Sequence, residues 1–102
     1  MGITRKIDTE RKTVTLMLEG QFDFSLHQPF RDSYRDLETG GHTYRLDMSR
    51  TSYMDSSALG MILLLKEHAD KQGSRVVLVS PSAAVDKILT IANFHKLLPV
   101  EK

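Results

Sequence analysis

Two adjacent hydroxyls, Ser56 and Ser57, follow an aspartate and precede the apolar run Leu59-Gly60-Met61-Ile62-Leu63-Leu64-Leu65. The segment Met54-Asp55-Ser56-Ser57-Ala58-Leu59-Gly60 predicts a turn that opens directly into a helix. A helix start carries unpaired backbone N–H groups and the positive end of the macrodipole, so a serine there can hold an added phosphate. A phosphorylatable hydroxyl beside apolar side chains has the chemistry of a protein-docking switch. The same residues also admit a purely structural role, in which Ser56 or Ser57 caps the helix.

Other chemistries find little support. Ser56 lies in no Gly-x-Ser-x-Gly elbow, and the neighbouring Asp55 is not a histidine base. His27, His42, His68 and His95 are scattered, without the spacing of a zinc site, and are expected at the surface. No Gly-x-x-x-x-Gly-Lys loop occurs, and Gly40-Gly41 reads as a helix stop. Asp23, Asp47 and Asp55 could gather around a divalent ion, but each has a simpler role: turn residue, strand-end hydrogen bonder and helix-entry residue. Neither an enzyme nor a cofactor or metal is expected. The one catalytic alternative is nucleotide binding or hydrolysis at the loops of Asp23 and Ser56.

Composition narrows the class. The 102 residues suffice for one domain with its own core, over residues 1–102. Hydrophobic residues make up 40% and charged ones 26%, the balance of an ordinary globule rather than a disordered tail. Lys and Arg total 14 against 13 for Asp and Glu, so no basic field would recruit nucleic acid or an anionic membrane. The absence of cysteine excludes disulfides and thiolate metal sites. Met1 to Lys6 lacks the apolar stretch of a secretory signal, and no run approaches the ~18–20 apolar residues of a membrane span. A cytosolic protein without membrane insertion is the expectation.

Strands and helices alternate along the chain. Ile3 to Ile7 predicts a first strand, and Thr13 to Glu19 a second, in which Val14, Leu16 and Leu18 alternate with polar or flanking residues. Gly20 is expected to break that strand. Ser25 to Leu37 predicts a helix with Leu26, Phe30, Tyr34 and Leu37 on one stripe, and Pro29 in its opening turns. Thr43 to Met48 predicts a third strand, and Ser49 to Met54 a turn into the second helix, which runs from Ser57 to Gln72 and stops at Gly73. Arg75 to Ser80 has the unbroken apolar run of a buried strand. Ser80-Pro81 reads as a cap and first helical residue, followed by a face of Val85, Ile88, Leu89 and Ala92. Phe94 to Val100 predicts a helix end and a short terminal strand. This alternation implies an open α/β layer, parallel in the middle, with an antiparallel N-terminal hairpin. Gly20–Asp23, Ser49–Ser57 and Ser80–Pro81 each follow a strand and would gather at one end of the sheet.

Within the second helix, Ala58, Leu59, Ile62, Leu65 and Ala69 share one side at ~100° per residue, enough to pack on a sheet. Ser57, Gly60 and Leu64 lie roughly opposite, with Met61 and Leu63 on the flanks. Leu63 is expected under a neighbouring helix, and Met61 and Leu64 on a partner surface that begins at the serines.

Three landmarks recur in order: Gly20-Gln21-Phe22-Asp23, the strand Tyr44-Arg45-Leu46-Asp47-Met48-Ser49, and Met54-Asp55-Ser56-Ser57-Ala58-Leu59-Gly60. Together they resemble the anti-sigma factor antagonists (anti-anti-sigma factors) of the STAS-domain family, whose signature reads hydrophobic-Asp-Ser-Ser/Thr-Gly-Leu-Gly. The resemblance implies an α/β fold, a single STAS-like domain with a mixed four- to five-stranded sheet partly covered by helices. It matches Ser56 to the family's phosphoacceptor, Ser57 to the hydroxyl after it, and Asp23, Asp47 and Asp55 to recurring acids. The partners it implies are an anti-sigma factor or serine kinase, which the unphosphorylated form binds in a bacterial partner-switching pathway of transcription control, and a serine phosphatase that reverses the modification. The contact surface would comprise Asp23, Asp55, Ser56, Ser57, Gly60, Met61 and Leu64. Ala58 stands where the family usually has glycine, and Phe24-Ser25 where more polar residues are usual. A second reading stays open: a constitutive STAS scaffold or subunit of a transport complex, in which Ser56 is only a cap.

Overall fold

The long second strand organises the sheet. The computed structural model describes residues 2–37 and 40–102, and among these are six strands and three α-helices. Strand β1 (Gly2–Asp8) pairs antiparallel with β2 (Thr13–Phe22), as a polar turn between two β-forming runs dictates. On its other side β2 pairs parallel with β3 (Thr43–Asp47), and β5 (Arg75–Val79) then β6 (Val100–Glu101) continue the parallel sheet. The order is β1-β2-β3-β5-β6.

Strand β4 (Thr51–Met54) is the sixth, and it lies where the sequence predicts only a turn. It pairs parallel with the end of β2, Gly20 with Thr51 and Phe22 with Met54. Gly20 therefore does not end β2. It takes a left-handed φ of 88°, and the register shift beside it is taken up on β4, where Ser52 is the extra residue, so β2 runs on past it. The short stretch Thr51 to Met54 carries no apolar alternation. Backbone pairing, together with the Thr51 hydroxyl donating to the Leu18 carbonyl at 2.8 Å, makes it a strand.

Helix α1 (His27–Asp32) is shorter than its apolar stripe suggests and is preceded by a 3-10 turn, Phe24–Leu26. The Ser33 hydroxyl donates to the Phe30 carbonyl at 2.5 Å, and the following N–H groups of Tyr34 and Leu37 bond three residues back rather than four. The stripe itself holds: Leu26, Phe30 and Tyr34 are buried, and Leu37 packs against the core. Helix α2 (Ser56–Lys71) ends where Gly73 adopts a left-handed φ of 68°. Helix α3 (Ala83–Ile91) begins two residues later than Pro81 suggests, because Ser82 is its cap. The Ser82 hydroxyl accepts from the Val85 N–H at 3.4 Å and donates to the Thr51 carbonyl at 2.7 Å, fastening α3 to β4.

Val14, Leu16 and Leu18 of β2, Tyr44 and Leu46 of β3, and Leu78 of β5 meet Ile62, Leu65 and Ala69 of α2 and Val85 and Leu89 of α3 in one core. All four apolar residues from Val76 to Val79 are buried, as an unbroken run in a central strand requires. His68, expected at the surface, is half-buried, with its ring 5.0 Å from that of Tyr34 and 6.3 Å from that of Tyr44. Among the described residues no helix is long and apolar enough to cross a membrane.

Candidate functional site

Parallel pairing of β2 with β4 sets Phe22 beside Met54, so the residues that follow, Asp23 and Asp55, leave the sheet side by side. The Asp55 N–H donates to the Phe22 carbonyl at 3.3 Å and fixes that juncture. Asp23 turns into the 3-10 segment, its carboxylate accepting from the Ser25 N–H at 2.9 Å and the Ser25 hydroxyl at 2.5 Å. Asp55 turns into α2.

Asp55, not a serine, caps this helix. Its backbone is extended, and its Oδ1 accepts from the Ala58 N–H at 3.2 Å. The Ser57 hydroxyl donates to the same oxygen at 2.5 Å. That bond, followed by the nearby backbone N–H groups, holds the Asp55 carboxyl below the ordinary carboxylate range. Ser57 is half-buried and committed to this contact. Ser56 is the first helical residue, exposed, with no hydrogen-bond partner for its hydroxyl among the described residues.

Ser56 borders an apolar cleft of about 310 Å³ between the start of α2, the end of β4 and α3. Tyr53, Leu59, Ile88, Ile91 and Ala92 line it, with Asp55 and Ser56 at its margin. Tyr53 is 50% and Ile91 74% exposed. The sequence assigns none of these five residues to a contact surface. The signal was present in Ile91, an apolar residue beyond those needed for the buried stripe of α3.

The other residues of the expected contact surface divide. Gly60 is exposed on the outward face of α2, and Leu64 is 47% exposed, about 12 Å along the helix from Ser56. Met61 is buried in the core, 3% exposed, and is not part of any surface. Leu63, expected to be covered, is 41% exposed instead. Helix α1 packs on α2, and Met61 joins the core, whereas Leu63 is left at the surface. Asp47 accepts from the Ser49 N–H at 2.9 Å and shapes the turn between β3 and β4. No cluster of three or more His, Cys, Asp or Glu residues placed to hold a metal ion occurs among the described residues.

Comparison with known proteins agrees with this architecture. The family described as "Mlab, STAS domain" matches residues 6–99. A STAS-domain containing protein of Pseudomonas aeruginosa (strain UCBPP-PA14) is 39% identical over 100 residues, covering 98% of this chain and 99% of the relative. The Bacillus cell-fate determinant SpoIIAA in its phosphorylated form superposes with a TM-score of 0.74 at 21% identity, over 99% of this chain and 92% of that one. The unphosphorylated anti-sigma factor antagonist SpoIIAA gives the same TM-score at 22% identity, over 99% and 87% of the two chains. A sulfate transporter family protein of Wolinella succinogenes has a TM-score of 0.79 at 17% identity, over 94% of this chain and 80% of that one. The chain belongs to the STAS-domain family, and its fold is that of the SpoIIAA anti-sigma factor antagonists.

Proposed function

We propose that this protein is a phosphorylation-controlled binding switch. With Ser56 unmodified it binds an anti-sigma factor or serine-kinase regulator of a partner-switching pathway, and phosphate on Ser56 blocks that contact until a phosphatase removes it. The observation that carries this reading is the exposed, unbonded hydroxyl of Ser56 at the margin of an apolar cleft. Had Ser56 been the helix cap, its hydroxyl would have had a structural duty sufficient to explain it. Asp55 has that duty instead. The fold's likeness to a SpoIIAA described in both unphosphorylated and phosphorylated forms gives further support.

The physics of the block is electrostatic. A phosphoserine brings about −1.5 to −2 charges to a place held by a small neutral hydroxyl. Seating it against Tyr53, Leu59 and Ile91 would strip water from a dianion without supplying a counterion. The Asp55 carboxylate, ionised at neutral pH, adds like charge at the same margin. The protein acts by binding and performs no catalysis of its own. Metal-dependent nucleotide turnover that survives purification and vanishes in Asp23→Asn would overturn that part of the proposal.

The test of the switch is capture of partners from the source cell by wild type, Ser56→Ala and Ser56→Asp, read by mass spectrometry and followed by calorimetric titration of the captured protein. Ser56→Ala should bind as wild type does. Ser56→Asp should bind at least about tenfold more weakly, although one charge imitates phosphate imperfectly. Equal binding by all three forms would favour the constitutive-subunit reading, to which likeness with a sulfate transporter family protein gives the fold but no further support.

A further inference from the structure

A second groove runs between α1 and α2, away from Ser56. It encloses about 350 Å³, with Arg31, Tyr34 and Arg35 on one wall and Leu64, His68 and Lys71 on the other. The Arg31 guanidinium has no hydrogen-bond or ion-pair partner among the described residues. Tyr34 is only 4% exposed, yet its hydroxyl also bonds to nothing described and opens on the groove. Burial raises its pKa, so the phenol stays a neutral hydrogen-bond donor at physiological pH.

The remaining charges are only loosely committed. Lys71 meets Glu67, the one carboxylate among the described residues that line the groove, at 3.3 Å, and Arg35 meets Asp32 at 3.5 Å and Asp36 at 3.9 Å. Pairs this exposed hold little energy and can be exchanged for a better ligand. Beside these donors, half-exposed Leu64 offers an apolar seat at the same groove.

We propose that the α1–α2 groove docks an acidic, amphipathic segment of a protein partner, whose carboxylates bond Arg31, Tyr34 and Lys71 while an apolar side chain rests on Leu64. Charge complementarity selects the acid, since among the described residues Arg31 is unpartnered, Arg35 and Lys71 are held only by exposed ion pairs, and Glu67 is the one carboxylate that lines the groove. Leu64 selects a protein segment, because a bare anion makes no use of it. His68 and Lys71 stand about 18 and 22 Å along α2 from Ser56, well beyond a physiological Debye length of about 8 Å. Docking here is therefore independent of the phosphate, and it does not rest on the switch at Ser56.

The test is titration of the isotopically labelled full chain, followed by NMR, with a short synthetic helical peptide of Glu and Leu and with its Gln-for-Glu twin. Inorganic phosphate and ATP are titrated separately. The acidic peptide should move the backbone amides of Arg31, Tyr34, Leu64, His68 and Lys71, with an affinity that falls as salt is raised. The Gln twin should bind at least about fivefold more weakly. Arg31→Gln and Tyr34→Phe should each weaken the acidic peptide by a similar factor while melting as wild type does, and Ser56→Asp should bind it within about twofold. Unmoved groove amides, or equal response to the Gln twin, would overturn the proposal. So would movement of those amides by phosphate or ATP but not by peptide, which would make the groove a small-anion site. Loss of the acidic peptide in Ser56→Asp would refute independence from the phosphate while leaving the switch standing, and failure of Ser56→Asp to release partners would refute the switch while leaving the groove.

Discussion

The Ser57 hydroxyl donates to Asp55 Oδ1 at 2.5 Å, so the residues on either side of Ser56 are bonded to each other and Ser56 is left out. Two neighbouring serines are thereby made chemically unlike. Ser57 is half-buried with its proton committed to a carboxylate, whereas Ser56 is exposed and free to accept a phosphoryl group. Phosphate in cells should therefore be found on Ser56, and Ser57→Ala should leave that modification in place. Phosphopeptide mapping decides it, and phosphate found repeatedly on Ser57 alone would reverse the assignment.

The same bond makes Asp55 the stabilising residue of the pair. Ser56→Ala should change stability by no more than about 0.5 kcal/mol, as for an exposed side chain with no structural contact. Asp55→Ala should lower the melting temperature by a few degrees, while Asp55→Asn, an equally good cap, should lose much less. Because hydrogen bonds hold the Asp55 carboxyl below its ordinary value of 3.8, its ionised form stabilises the fold above the unfolded-state pKa. That contribution is lost as pH falls through the lower, folded-state value. Melts should show the advantage of wild type over Asp55→Asn constant from neutral pH to about pH 5 and shrinking in more acid solution. An advantage that grows on acidification would contradict the cap geometry.

Much of this arrangement was legible in the residues, and the exceptions have physical causes. Helix α2, strand β5 and the hairpin of β1 and β2 declare themselves because apolar spacing is local. Strand β4 does not, since Thr51 to Met54 becomes a strand only by pairing with the far end of β2, more than thirty residues back in the chain. Gly20 likewise reads as a stop, but a φ-positive glycine can also stay within a strand, and only the pairing with β4, which takes up the register shift at Ser52, decides between them. A helical wheel ranks Met61 and Leu63 as equivalent flanks. What packs over each flank is a tertiary fact, and in the fold the first is buried in the core while the second is left exposed. Ser56 declares itself by its chemistry, while the cleft beside it does not, because Ile88 and Ile91 of α3 reach it only through the tertiary fold.

Substitutions along α2 should reproduce that division. Ile62 is fully buried, and Ile62→Glu places an unpaired charge in the core, which should consume most of a typical stability of about 5–15 kcal/mol. Met61→Glu should do nearly the same. Leu63→Glu and Leu64→Glu should each melt within about 1 kcal/mol of wild type. Thermal melts of the four variants rank them directly. Unfolding of Leu64→Glu would mean that the outward face of α2 is core.

The cleft at Ser56 makes the sharpest claim on binding. Ile91 is 74% exposed, and Tyr53, half-exposed, faces the same space. The core face of α3 is already supplied by Val85 and Leu89, so packing does not require Ile91. Ile91→Ser should therefore leave the melting temperature within a few degrees of wild type and weaken partner binding by about 1–2 kcal/mol, roughly five- to thirtyfold. If phosphate acts by spoiling this same contact, its effect and that of Ile91→Ser must overlap. Ser56→Asp combined with Ile91→Ser should lose less affinity than the two single losses added together, with a coupling of at least about 0.5 kcal/mol. Strict additivity in titrations of wild type, both single variants and the double variant would place the charge-sensitive contact away from the cleft. A stability loss in Ile91→Ser as large as the binding loss would make Ile91 a packing residue. Overlap without unfolding is the result the geometry predicts, because one partner surface would have to rest on Ile91 and Ser56 at once.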